Sequence, residues 1–226
     1  MTFISISILI SCLSVMAVRG RRGPWPPDIP VARPRLSATG GTYAGSCGRP
    51  SDVYVIQERL IAVADGGGRA GHTAAARALG AVVAAWPQVA GAGGEDLGGC
   101  APAAGDGEPA PGLDLIVLDT GESPRLRYAH VGGGGIWHCP KGGRPRRVTA
   151  AGQAAGPELG SVPLRQGDRV VVVSDGVGDA LGEERMTELF TDGRSPAACL
   201  DRLYDELSVV EPEGDATVLI ADFVTA

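Results

Sequence analysis

The sequence predicts an α+β domain in which antiparallel strands outnumber helices, rather than a doubly wound parallel sheet. Three observations predict it. From Thr42 onward, short apolar runs rich in β-branched residues recur between clusters of Gly, Pro, Asp and Ser. Turn-forming stretches such as "QE", "GESP" and "KGGRPRR" separate several of these runs. Helical patterning is confined to a few places, chief among them an alanine-rich stretch from about Gly71 to Trp86.

Each element follows in order along the chain. The first segment, "TFISISILISCLSVMAV", carries no charge over residues 2–18 and is followed by "RGRRG". By length it is a borderline membrane span, but it lacks the positive leader of a signal peptide and contains four serines. Two readings stand: membrane contact through residues 2–18, or an extension ahead of the domain. Residues 19 to 36 hold Pro24, Pro26, Pro27, Pro30 and Pro34 and read as a linker, so the domain is expected to cover 37–226. "DVYVI" and "RLIAVAD" flank "QE" as a hairpin, which brings Asp52 near Asp65. The Gly71–Trp86 helix is small and apolar nearly all round, as a helix lying on a sheet must be. Residues 87 to 112 are rich in Gly, Ala and Pro without apolar periodicity and read as a surface loop. "LDLIVLDT", "RLRYAHV" and "GIWHC" look like an antiparallel meander. A β-branched strand from Arg169 to Ser174 ends at Asp175, with an acidic helix start expected at Glu183 and Glu184. A second helix is expected from about Pro196 to Leu207, and a last strand follows Asp215.

Composition narrows the function classes. With 226 residues, 44% of them hydrophobic, the chain can build one domain with a real core. A net charge of −6 argues against a nucleic-acid partner, whose binding rests on neutralising phosphates. Five scattered cysteines form no C-x-x-C pair and no dense framework, so they read as reduced thiols in a cytoplasmic protein. His72, His130 and His138 lack metal-ligand spacing and read as structural or surface residues.

Two chemistries compete for "LIAVADGGGRAGHT". Gly66, Gly68 and Gly71 satisfy G-x-G-x-x-G between a strand and a helix, as in a dinucleotide site. Glycine supplies 35 of the residues, however, and chance matches are common in such a chain. Asp65 immediately before the first glycine would repel a pyrophosphate, whereas a carboxylate at a strand end can grip a cation. The same arrangement recurs: Asp65 and Asp175 end strands, and Asp215 precedes one. Several carboxylates at one rim suit Mg²⁺ or Mn²⁺, which take oxygen ligands and waters.

At these residues the sequence resembles the metal-dependent PPM or PP2C-type serine/threonine protein phosphatases, with features of the SpoIIE/RsbU-like branch. The resemblance spans roughly Thr39 to Phe223. "LIAVADGGG" looks like the D-G-M-G-G motif, "VVVSDGVGD" is similar to S-D-G-x-x-D, and "GDATVLIADF" resembles the terminal D-N-x-[ST] strand. "LRYAHVGGGG" is similar to the A-N-x-G-D-S hairpin. This resemblance implies a sandwich of two antiparallel sheets flanked by helices, with one helical region reduced to the loop of residues 87 to 112. It also implies two Mn²⁺ or Mg²⁺ ions. Asp65 would bridge both, the Gly66 carbonyl would ligate one, and Asp175 and Asp215 would complete the other. Asp52 would hold a metal-bound water and Asp179 would belong to a third, weaker ion. The implied activity is hydrolysis of phosphoserine or phosphothreonine by metal-activated water, on a phosphoprotein such as a Ser/Thr kinase or its target.

The chain departs from the family pattern at several positions. Ser51 stands where the family has glutamate, which predicts a weak second metal site. Gly133 replaces the aspartate of G-D-S, Ala216 replaces an asparagine, and the phosphate-binding arginine would fall at Cys47, with Arg49 displaced. A catalytically weak PPM-like regulatory or binding module is therefore a second reading, and a nucleotide-binding protein using Gly66, Gly68 and Gly71 a third.

Overall fold

A computed structural model describes residues 33–46, 48, 50–67, 71–91, 110–151, 156–191 and 194–225, with the side chains of 86–91 left aside. Within them, ten strands form two five-stranded sheets whose neighbours all pair antiparallel. One sheet has the order β1 (Pro34–Tyr43), β10 (Ala216–Thr225), β9 (Arg169–Val173), β6 (Gly135–Cys139), β7 (Arg146–Arg147). The other has the order β2 (Val53–Ile56), β3 (Leu60–Asp65), β4 (Gly112–Asp119), β5 (Arg125–Val131), β8 (Glu158–Pro163). The helices are α1 (Gly71–Gly91), α2 (Asp175–Phe190) and α3 (Pro196–Val210).

Strand alternation divides the apolar residues into three layers. Ile61, Val63, Ile116 and Leu126 of one sheet share a core with Val172, Leu219 and Phe223 of the other. On the outer faces, Ala75, Leu79 and Val82 of α1 pack on Leu60, Ala62 and Leu115. Met186, Leu189, Leu203 and Leu207 of α2 and α3 cover Val171, Val173 and Val218. This layering explains the unbroken run Val170–Val173: both faces of β9 are covered, so each valine is buried, at roughly 1.5–3 kcal/mol apiece.

The structure corrects several expectations. β6 does not extend a meander from β4 and β5. After β5 the chain crosses at Gly132–Gly135 to the opposite sheet, where Gly135 pairs with Val173. Gly132 makes the crossing with φ at 112°, and a Cβ there would stand 2.9 Å from Gly112 Cα. α1 continues through Pro87 to Gly91. The reduced helical region expected over 87 to 112 falls largely on residues 92–109, outside the described residues. α2 begins at Asp175, eight residues before Glu183, and breaks at Gly182 (φ 73°, ψ 160°), so two short helical pieces stand where one later start was expected. α3 runs on to Val210 and stops at Glu211 in the left-handed region. β1 starts at Pro34, inside the stretch read as linker; proline is compatible with the first residue of an edge strand. Pro34–Thr225 forms one compact unit.

Candidate metal centre

Register places the first pair of acids. Val53 pairs with Ala64, so Asp52, one residue earlier, stands across from Asp65, one residue later. Both lie at the rim where β2 and β3 end. β9 delivers Asp175 to the same rim as the first residue of α2, where a negative charge also suits the positive end of the helix dipole. Asp65 lies within hydrogen-bonding reach of Asp52 on one side and Asp175 on the other. Burial, the contact with Asp175 and the charge of Asp52 together push its carboxyl up to about 9.

The two sheets are tied together at this point. Thr217 Oγ1 donates to Asp52 Oδ2 at 2.7 Å and lies 2.8 Å from Thr42 Oγ1. Ser174 receives the Thr217 N–H on its hydroxyl at 2.9 Å and returns its own N–H to the Thr217 carbonyl at 3.0 Å. Burial raises the Asp52 carboxyl; hydrogen bonds from Thr217 and Ser174 oppose the rise, and the charge of Asp215 adds to it. Asp215, just ahead of β10, accepts both the backbone N–H and the hydroxyl of Ser51 on one oxygen, the hydroxyl at 3.0 Å.

Glycines let these backbones close. A Cβ on Gly176 would stand 2.0 Å from the Asp215 carbonyl oxygen, and one on Gly66 would meet the carbonyls of Gly71 and Ser51 at 2.4 and 2.6 Å. The Gly66 carbonyl itself packs against Gly71, 2.3 Å from where a Cβ would be. Gly68 lies outside the described residues.

Asp52, Asp65, Asp175 and Asp215 are therefore linked to one another at one rim by contact or charge. Asp179 is not drawn in: it is exposed one turn along α2 and makes no hydrogen bond or ion pair among the described residues. As positioned, no group of three or more His, Cys, Asp or Glu among the described residues is close enough to ligate one ion. The donor set nevertheless fits a hard cation. Every group is an oxygen donor, and Asp65 between two acids needs either a shared proton or a cation to relieve the crowding. Sequence reading missed Ser174 and Thr217. Their signal lay in the alternation, since each sits on the face of its strand that looks to the opposite sheet.

The dinucleotide reading loses its frame here. α1 connects β3 to β4, which pair antiparallel with each other, so no βαβ unit surrounds the glycines. Of the cysteines, Cys139 and Cys199 are buried and in no disulfide among the described residues, and Cys12, Cys47 and Cys100 lie outside the described residues, as does Arg49. No helix among the described residues is long and apolar enough to cross a membrane; residues 2–18 lie outside them.

No family model and no curated protein matches the sequence. Solved structures do match. The Mycobacterium tuberculosis serine/threonine phosphatase PstP/Ppp is 19% identical with a TM-score of 0.64, over 84% of this chain and 99% of that one. The catalytic domain of PstP, solved in complex with two manganese ions, gives 19% and 0.64 over 85% and 100%. The PPM Ser-Thr phosphatase MsPP from Mycobacterium smegmatis, in complex with cacodylate, is 21% identical at a TM-score of 0.66, over 83% of this chain and 98% of that one. The two-sheet sandwich of this chain is thus the fold of PPM-type phosphatases.

Proposed function

We propose that this chain is a metal-dependent protein phosphatase that hydrolyses phosphoserine and phosphothreonine. The observation that carries the reading is Asp65 held between Asp52 and Asp175, with Asp215 at the same rim, on a fold whose solved examples are serine/threonine phosphatases. Mn²⁺ or Mg²⁺ would be held by Asp65, Asp175, Asp215 and the Gly66 carbonyl. When bound, such a pair of ions acidifies a water and neutralises charge on the phosphoryl oxygens.

The chain's own residues do the rest. Thr217 and Ser174 hold Asp52 in place as a proton acceptor beside the ions. Ser51 fixes one oxygen of Asp215, which leaves the other oxygen free to serve as a ligand. Gly66 and Gly176 keep the loop and helix backbones close, so the carboxylates approach without side chains between them. Asp179, exposed one turn along α2, would belong to a third, weaker site. The substrate is a phosphoprotein such as a Ser/Thr kinase or its target, met in the cytoplasm, with membrane contact through residues 2–18 as a further feature.

One observation favours a second reading, a catalytically weak regulatory module. Ser51 spends both donors on Asp215 where a carboxylate would add a ligand, and Gly133 adds none. On either reading the second ion is weak, and metal is needed in the millimolar range, on the order of the weak end of carboxylate sites. The test is hydrolysis of p-nitrophenyl phosphate and a phosphothreonine peptide by the full chain with Mn²⁺. Turnover that stops with chelator is expected. Turnover that survives exhaustive chelation overturns the mechanism, and Mn²⁺ binding without turnover selects the regulatory module. The domain itself begins at Pro34 with β1, so removing residues 1–33 leaves a cooperative unfolding transition. Loss of that transition would refute the boundary.

A further inference from the structure

The glycine crossover between β5 and β6 brings no side chains to the rim, and three charged groups from other elements close on it. A Cβ on Gly133 would stand 3.2 Å from Asp175 Oδ2, one on Gly134 2.3 Å from Asp114 Oδ2, and one on Gly135 3.0 Å from Arg147 Nε. Asp114 is the anomaly among the three. It interrupts the apolar run of β4, is 4% exposed, and pairs with Val63, which places it one row below Asp65 on the face turned to the other sheet.

Its partner is equally hidden. His130 lies directly across on β5 with 1% exposure, and its Nδ1 stands 2.7 Å from Asp114 Oδ1. The carboxylate's second oxygen, Oδ2, accepts no hydrogen bond among the described residues, and His130 Nε2 is buried with no partner there. Two apolar residues would fill this volume without a buried carboxylate or an orphaned ring nitrogen, so packing does not account for the pair. Asp114 also feels the charges of both Arg147 and Asp175. An acid whose one oxygen is fixed by a histidine and whose other lies against Gly134, beside the Gly133 that abuts the candidate ligand Asp175, is arranged to accept a hydrogen bond from something held there.

We infer that Asp114, oriented by His130, is a positioning residue of the cation site, its Oδ2 accepting a hydrogen bond from a water on the ion held by Asp175. The inference rests on the proposed metal-dependent function. It adds to the rim a carboxylate from β4 where the crossover carries only Gly133.

The experiment is a Mn²⁺ titration of the full chain, followed by the free-ion electron paramagnetic resonance signal at a temperature where each variant is folded. Asp114→Asn should weaken binding about tenfold. His130→Asn keeps a donor for Oδ1 and should bind close to wild type, whereas His130→Leu should follow Asp114→Asn. A purely structural pair would lower melting temperature in these variants and leave the affinity of folded protein unchanged; that result overturns the inference while wild-type binding upholds the metal centre. If Asp114→Asn does not fold, equal affinity in His130→Asn and His130→Leu overturns it. No Mn²⁺ binding by the wild type removes both.

Discussion

The two ends of β9 carry aspartates in opposite circumstances. At its entry Asp168 is buried and fully served: Oδ1 accepts the Lys141 N–H at 3.0 Å, and Oδ2 accepts the Arg165 N–H at 3.0 Å and faces His138 Nε2 at 2.9 Å. Burial alone would raise its carboxyl, but these hydrogen bonds outweigh it and hold the group below the usual range. At the exit, Asp175 meets Asp65, whose carboxyl is pushed up to about 9 by burial and by acids on both sides. The same residue type on the same strand is a clasp at one end and an unmet demand at the other. Protein donors complete the first; only a proton or a cation completes the second.

The largest effect tests the open end. Asp65→Asn should lower metal-dependent turnover at least about 100-fold while raising the melting temperature of metal-free protein, because folding no longer has to keep a carboxyl protonated between two acids. A variant that keeps full turnover would break the comparison. Next is the closed end. Asp168→Ala strands two backbone N–H groups and His138, and should cost about 3 kcal/mol in denaturant unfolding. Turnover per folded molecule should not change, since Asp168 sits at the far end of the strand from the acids.

A pH series sharpens the contrast, since the two ends titrate with opposite sign. Asp65 holds in the folded state a proton that the unfolded chain releases near 3.8, so its contribution is full below that value and is lost as pH rises toward about 9. Asp168 is lowered, so its contribution is present above 3.8 and is lost as pH falls through its folded value. The metal-free melting temperature should therefore fall between pH 5 and 9, flatten in Asp65→Asn, and keep its slope in Asp168→Ala. A slope unchanged in Asp65→Asn would place the titration elsewhere. The smallest effect concerns Cys139, which pairs with Arg169 at the closed end. Burial pushes its thiol up to about 12, so a thiol reagent at pH 8 should leave it unmodified in the native protein. Rapid native labelling would show that end to be open.

Much of this contrast was legible in the sequence at Asp52, Asp65, Asp175 and Asp215, because an acid at either end of a strand lies at a sheet rim whatever the strand's partners are. Asp179 shares the motif spacing with Asp175, yet a helix starting at Asp175 carries it one turn away, exposed. Gly71 shows the limit differently. It completed a nucleotide fingerprint in the sequence, while in the fold its Cα abuts the Gly66 carbonyl, so a side chain at position 71 would push on the loop after Asp65 whatever that loop binds.

By itself the sequence determined the local periods: which runs alternate as strands, where acids end them, where glycine allows backbones to touch. These depend on neighbours a few residues apart, and steric and solvation rules act at that range. Tertiary structure alone decided that β6 leaves its meander for the other sheet, that Thr217 reaches Asp52 from 165 residues away, and that Asp114 meets His130 beneath the glycine crossover. Those pairings are set by closing two sheets over a common core. The free energy of that closure belongs to contacts distant in the chain, which no local pattern encodes.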